Sequence, residues 1–545
     1  MNSSARRLLF SVLLVGGALL VFRLEILRLS DISVGKSIVA VGLIAIALWT
    51  VSRPQFFRRF VGEATAETLG AIRILTCAIA LLMTLWVFDL PTIYLLPTEM
   101  QIPMGVMRGF HKIPGFDFFL TSRIGLSWFE LFSVGALCLG MIGWKTRFVM
   151  PLCAFCFLLI GGIHRHYCHF FHTGLVPVYL LAVLAMTPCG DGWSVDRFLS
   201  RRLGVGAISP EKARWLTPAN QPAPIYGWSR YACWTVVALA YVAAGLSKLY
   251  HGGPLWFVPS NLKYHLYSTA LAPMQFDWSL ALQFLDAPEP LYALMGIPGI
   301  YGEIAFGLVL FSKRARWVLP PLMVMMHLGI FFFQDILFID LICLQLIFVD
   351  FAAVRKAMSG RIGFFKRRTV LEGEPQYSVV SNVSNPGANA KGDRYRWLIA
   401  GLAAVVFIPW LYDLEFYPLS AWTMFAERDT SGVVEYPRAI ARLASGETKA
   451  AHTERDIPAL SGIPYRVVFG LCNQDAAKPV RICDQFFERA GIRHNQGLSG
   501  SQRIISYEIQ QWRWDFKTSK DPADSKLLAS HVVEVPQARG LTIYK

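Results

Sequence analysis

The sequence predicts an all-α polytopic membrane protein of about eleven transmembrane helices, followed by a small C-terminal α+β extramembrane domain. Three observations lead to this class. Of 545 residues, 54% are hydrophobic and only 16% are charged, and the mean hydropathy is +0.42, a composition that excludes an ordinary soluble chain. Apolar runs close to the ~20 residues needed to cross a bilayer recur along the first 412 positions. The net charge of +15 is gathered into particular loops, so it reads as a signal of topology and not as a nucleic-acid footprint.

The runs lie near 8–24, 36–52, 69–89, 125–143, 147–164, 174–189, 229–250, 290–311, 316–333, 335–351 and 395–412. The first has a basic start and an apolar middle, but Phe22-Arg23-Leu24-Glu25 offers no small-residue cleavage site, so it reads as retained. With the amino terminus cytoplasmic, the dense basic clusters fall inside: Arg53/Arg58/Arg59, Lys145/Arg147, the Arg197–Arg214 group, Lys313/Arg314/Arg316 and the Arg355–Arg368 group. This divides the chain into an N-terminal hairpin (1–62), a central membrane domain (63–351), a basic cytoplasmic linker rich in Ser, Asn and Gly (352–394), a final span (395–412) and an extracytoplasmic domain (413–545). The membrane expected is a bacterial inner membrane or its equivalent. In the last domain, Leu460 to Phe469 and Ile504 to Phe516 alternate as strands do, and Ala476 to Gly491 reads as helical in its second half. Its two cysteines, Cys472 and Cys483, are a candidate disulfide if that compartment is oxidising. Cys153 and Cys156 form a CxxC inside a span, without the βαβ context of a redox motif, and read as buried small residues.

The most informative stretch is Ala232 to Trp256, an apolar helix with an ammonium, Lys248, near its end. Placing that charge in hydrocarbon costs roughly 2.5–3.5 kcal/mol on insertion scales, so Lys248 either snorkels to the interface or meets a partner in a wet cavity. Ala243, Ala244 and Gly245 let another helix approach just before it, and Gly252-Gly253-Pro254 ends the helix just after. Arg73, in an earlier span, poses the same question, and snorkelling toward the inner surface is the simpler answer. Two later spans carry Glu303 and His327. Intramembrane polar groups of this kind either serve a function or tie helices together. His164, His166, His169 and His172 crowd nine positions. Their helical phases converge poorly for a metal, and no HExxH or paired CxxC accompanies them; an interfacial aromatic belt and proton handling are the other readings.

Ala244-Gly245-Leu246-Ser247-Lys248-Leu249 followed by Trp256 resembles the A-G-x-x-K-L…W signature of the vitamin K-dependent γ-carboxylase and its bacterial HTTM-domain relatives. Arg73-Ile74-Leu75 is similar to the stretch that opens that domain. His172 precedes Trp193-Ser194-Val195-Asp196 by 21 positions, as a histidine precedes W-S-V-D in the family, with His169 one turn earlier as the other candidate. Glu303 and His327 stand where the family has an acidic residue and a histidine. The resemblance covers 63–351 and implies a quinol-dependent membrane enzyme of the carboxylase or epoxidase kind, lyase or oxidoreductase, with a reduced quinone as cofactor. Lys248, His172, His327 and Glu303 would be its catalytic residues, His169 and Trp256 would contact the quinone, and no metal is implied. The expected partners are membrane lipid, the quinone and a secreted or membrane protein substrate. The outer domain shows no likeness to the carboxylase's lumenal region, which leaves a second reading open: a non-enzymatic maturation or assembly factor on the HTTM scaffold, as in the lipase maturation factors. A transporter would show inverted repeats with broken helices, and the chain has no such internal symmetry.

Overall fold

In a computed structural model, the structure describes residue 45 and residues 53–166, 172–202, 219–273, 280–351, 386–451, 469, 471–472, 477–498 and 500–536. The runs expected near 8–24 and 36–52, apart from residue 45, lie outside the described residues, as does most of the basic linker.

Among the described residues, six helices are long and apolar enough to cross a membrane. They include α1 (Ala66–Leu82, prolonged by a π-turn to Val87), α2 (Arg123–Ile142) and α3 (Thr146–Arg165). α1 begins where the Thr65 hydroxyl accepts from the Thr68 N–H, the capping that a threonine supplies to the open first turn. The run expected at 174–189 is instead the short α4 (Leu175–Ala185), about 16 Å long at 1.5 Å per residue. The long α5 (Pro224–Gly252) is mostly buried at the centre, and the shorter, largely buried α6 (Pro259–Ala270) follows it. α7 (Glu289–Leu310) and α8 (Lys313–Gln334) complete the six. The last two expected spans are shorter apolar helices, α9 (Ile339–Phe348) and the Trp397–Leu411 part of α10 (Pro386–Leu411). Nine of the eleven expected spans fall on described residues, where six are full-length helices and three are shorter apolar ones. α4 gives way to a turn at residues 186–188, and α9 to extended chain at Val349.

The outward faces agree with a lipid setting. α2 and α8 bury only 28% and 22% of their most apolar windows, and Trp128, Phe148, Trp317 and Met325 are exposed; so much unpaired apolar surface suits lipid and not water. Inside, Arg73 corrects the snorkelling expectation. It is fully buried, and its guanidinium donates to the carbonyls of Cys189 (2.7 Å), Trp193 (2.6 Å), Gly192 (3.3 Å) and Met141 (3.4 Å). The W-S-V-D stretch has a structural role beside it: the Asp196 carboxylate accepts from the Lys145 N–H, the Thr146 N–H and the Thr146 hydroxyl, satisfying donors at the start of α3.

Beyond α10 the chain turns back into the bundle before forming its outer domain. That domain is an antiparallel sheet in the order β2-β1-β3-β4, from β1 (Val433–Leu443), β2 (Thr448–Ala450), β3 (Ile504–Asp515) and β4 (Lys526–Glu534). Helix α11 (Ala477–His494) packs on β3 and β4. The strand expected at Ile504–Phe516 is β3. Of the one expected at Leu460–Phe469, residues 460–468 lie outside the described residues and Phe469 is helical. β1 escaped the sequence reading because Pro437 interrupts it. β2 pairs with β1 only over Ile440–Arg442, so Pro437 has a neighbour on one side alone, where a missing N–H is tolerated. Cys472 and Cys483 are disulfide-bonded. The domain rests on the end of the bundle that carries α6, with Tyr267 packed on Trp514 and Phe516 at 5.5 and 5.3 Å between ring centroids.

Candidate functional site

Lys248 lies one turn from the end of α5 and is 4% exposed. Its Nζ donates to Glu303 Oε2 at 2.7 Å. Two local features bring the groups together. A Cβ on Gly245 would lie 2.9 Å from the Ile300 carbonyl oxygen, so only glycine lets α5 and α7 approach so closely. Just before Glu303, α7 widens into a π-turn over Pro298–Gly302, the kind of local distortion that re-aims side chains at sites.

Around this pair is a cavity of about 250 Å³ lined by Lys248, Glu303, Trp256, His265, His327 and Phe425, with methionines of α7 and α8 and leucines of α6 and α8 completing its apolar wall. The Lys248 ammonium is 5.6 Å from the centroid of the Trp256 ring, within cation–π range. Trp256 in turn stacks on His265 at 5.7 Å and donates its indole N–H to the Phe425 carbonyl at 2.9 Å. His327 donates from Nδ1 to the Met323 carbonyl at 2.8 Å. Because a carbonyl can only accept, the neutral ring is fixed as the Nδ1–H tautomer, with Nε2 as its acceptor.

A second, smaller chamber of about 30 Å³ adjoins the first, and both share Glu303, His327, Phe338 and Met424. His172 lines this chamber and not the larger one. It stacks on Trp422 at 5.3 Å, and its Nε2 is 2.7 Å from the Ser420 hydroxyl. Burial, reinforced by Arg165 and Lys248, holds His172 down to about 3, which leaves the ring neutral near pH 7. The Ser420 hydroxyl also reaches Glu415 Oε1 at 3.3 Å. Burial pushes the Glu415 carboxyl up to about 7, against hydrogen bonds from Ser420, the Ala421 N–H and Thr423 and against the charge of Arg165.

The residues singled out in the sequence thus divide. Lys248, Glu303, His327 and Trp256 line one cavity, His172 lies one chamber away, and His169 falls outside the described residues. The neighbouring histidines go elsewhere: His164 packs on Phe88 at 5.0 Å, and His166 meets His111 at 3.2 Å. Sequence reasoning missed the segment from Glu415 to Phe425, which supplies Ser420, Trp422, Met424 and Phe425 to the two chambers. It is held in place by Tyr417, whose hydroxyl donates to the Leu158 carbonyl at 2.7 Å, and by Ser247, which donates to the Ala421 carbonyl at 2.8 Å. Its density of aromatics after a span was the one available signal. Asp340 and His265 were missed as well.

No family model, curated protein or solved structure matches the chain.

Proposed function

We propose that this chain is a membrane enzyme that takes a reduced quinone into the cavity beside Lys248, with Lys248 as the base for its phenolic proton. The observation that carries the reading is the buried Lys248–Glu303 pair at 2.7 Å on the wall of an apolar cavity. A pair of opposite charges in such a place is a poor stabiliser compared with well-packed apolar side chains, and a cleft with a few convergent polar groups is the usual form of a ligand site. The lining suits the group: Trp256, His265 and Phe425 offer ring faces to an aromatic head, and about 250 Å³ accommodates a ring system better than a long tail. The quinol, oxidised by dioxygen, would supply the reactive base for chemistry on a second substrate.

The protein's own part is then limited and definite. Once its resting proton has left through Glu303, Lys248 accepts the phenolic proton at Nζ as the O–H bond breaks, and the Glu303 carboxylate, freed of that proton, stabilises the ammonium so formed. His327 presents an Nε2 acceptor to the same space. The apolar wall keeps bulk water from competing for the proton. Trp256 limits the lysine's freedom from the other side.

Purified protein extracted with organic solvent should yield a quinone by mass analysis, and Lys248→Arg should abolish quinol oxidation without loss of folding, since arginine keeps the charge but cannot give up its proton. Oxidation at the parent rate in that variant would remove the reading. The scaffold alternative, a maturation or assembly factor, draws on β4, whose Leu527, Leu528 and Val532 are exposed on a strand with one neighbour in the described sheet. Such a factor would contain no quinone and would be indifferent to Lys248→Arg.

We place the outer domain outside the cytoplasm, on the strength of the basic linker before α10 and the Cys472–Cys483 disulfide. A C-terminal alkaline-phosphatase fusion should be active, and an inactive fusion paired with a working cytoplasmic reporter would reverse the topology.

A further inference from the structure

The smaller chamber lies behind the Lys248–Glu303 pair and is enclosed by Glu303, His327, Tyr241, Asp340, His172 and Trp422. At about 30 Å³ it has room for about two waters, each needing some 10–15 Å³ on this measure and two to four polar partners. Asp340, 1% exposed, faces it. Its Oδ2 accepts from the Gly174 N–H at 3.0 Å, while Oδ1 makes no well-formed hydrogen bond among the described residues, the carboxyl having only the backbone N–H groups of Asp340 and Leu341 close by. A buried carboxyl oxygen in that position is costly unless it binds water or a proton.

The chamber also has a way out. His172 on its wall is 2.7 Å from the Ser420 hydroxyl, which is 3.3 Å from Glu415, and the Glu415 side chain is 26% exposed. Donors and acceptors therefore run from Glu303 through the chamber to the surface near the outer domain. Beyond Glu303, which lines both chambers, the relay residues Asp340, His172, Ser420 and Glu415 do not line the larger cavity.

We propose that the chamber holds water and that Asp340, His172, Ser420 and Glu415 form with it a proton exit for the Lys248–Glu303 pair. The reading of Lys248 as a base is used only to name the source of the proton. Lys248 passes its proton to the Glu303 carboxylate and returns to the neutral amine. Glu303 passes it through water to Asp340, whose Oδ1 becomes the hydroxyl oxygen. Water and His172 carry it on, one ring nitrogen taking a proton as the other releases one, and the Ser420 hydroxyl hands its own proton to Glu415 while accepting the next. Glu415 releases to solvent. The other charged or titratable groups facing this route are Arg165 and Tyr179 near Glu415, and Tyr241, His327 and Lys248 around the chamber. Asp340, His172, Ser420 and Glu415 are positioning and relay residues and touch no quinol in this scheme.

Infrared spectra of the purified protein, followed after transfer from H₂O to D₂O below neutral pH, test the route without any quinol. The carboxylic-acid bands are assigned with Asp340→Asn, Glu303→Gln and Glu415→Gln. In the parent and in Ser420→Thr, which keeps a hydroxyl, the Asp340 band should exchange quickly. In Ser420→Ala it should exchange at least about tenfold more slowly, equivalent to about 1.4 kcal/mol of barrier, while the Glu415 band exchanges at once in all three. Equal Asp340 rates in Ser420→Ala and the parent would overturn the proposal, and so would an Asp340 that shows no acid band, since a group that never holds a proton cannot pass one on. Slow exchange in Ser420→Ala together with an inert quinol assay would keep the exit and remove only the quinol.

Discussion

Lys248 of α5 and Glu303 of α7 meet at 2.7 Å, with side chains 5% and 9% exposed, and no other ion pair in the described residues is as deeply enclosed on both sides. Each charge is affordable only because of the other. Removing one partner from a buried pair typically costs about 3–5 kcal/mol, whereas replacing both by apolar groups is often neutral. Lys248→Met and Glu303→Leu should each destabilise the protein by about that much, and the double variant by clearly less than the sum. Thermal unfolding in detergent across the four proteins measures the coupling, and simple additivity would mean that the two groups do not depend on each other.

Gly245 sets how closely α5 and α7 approach. Gly245→Ala adds a methyl 2.9 Å from the Ile300 carbonyl oxygen, and overpacking of this kind costs about 1–3 kcal/mol. The expected result is a lower unfolding temperature together with weaker coupling in the Lys248/Glu303 cycle. Gly329, with nothing near its added methyl, serves as the control, and its alanine variant should unfold like the parent.

Arg73 depends on the fork of its guanidinium, since four carbonyls from two separate stretches, Met141 and Cys189–Trp193, converge on it. Lysine keeps the charge and cannot reach them together. Arg73→Lys should lose at least about 2 kcal/mol, given about 1.5–3 kcal/mol for each hydrogen bond to a charged group. An unfolding midpoint equal to the parent's would show that one or two of these contacts suffice.

Glu415 should make stability depend on pH in an identifiable window. Its carboxyl rises from an ordinary 4.5 to about 7 on folding, because burial disfavours the charged form. Below 4.5 the group is protonated in both states and its contribution is fully present. As pH rises from 4.5 through about 7 the unfolded chain ionises first, so this contribution is lost across that range. Glu415→Gln should flatten the fall in unfolding temperature over the same interval. A profile parallel to the parent's would assign the titration to another group.

The sequence by itself determined the membrane class, the positions of the apolar runs and the residues whose polarity is out of place in lipid. Lys248, Glu303 and His327 stood out for that reason alone, as did the small residues Ala243 to Gly245 that let a neighbour approach. Composition and periodicity are local properties, and these features are local. How far each run stays helical was not: the runs near 174–189 and 335–351 are mostly apolar yet hold only short helices, because where a helix stops depends on the turns and partners around it. Arg73 was misjudged for a similar reason. Its carbonyl partners lie on segments 68 to 120 positions away, and no pattern in its own helix records them. The same holds for the site's second half. Glu415, Ser420 and Trp422 follow the final span in sequence and return to His172 across 248 positions, a closure made by tertiary packing of Tyr417 and Ala421 against α3 and α5. Only the folded chain brings together, at one end of the bundle, an amine from α5, acids from α7 and α9 and a hydroxyl from beyond α10, because their meeting is fixed by how the helices pack and not by spacing along the chain.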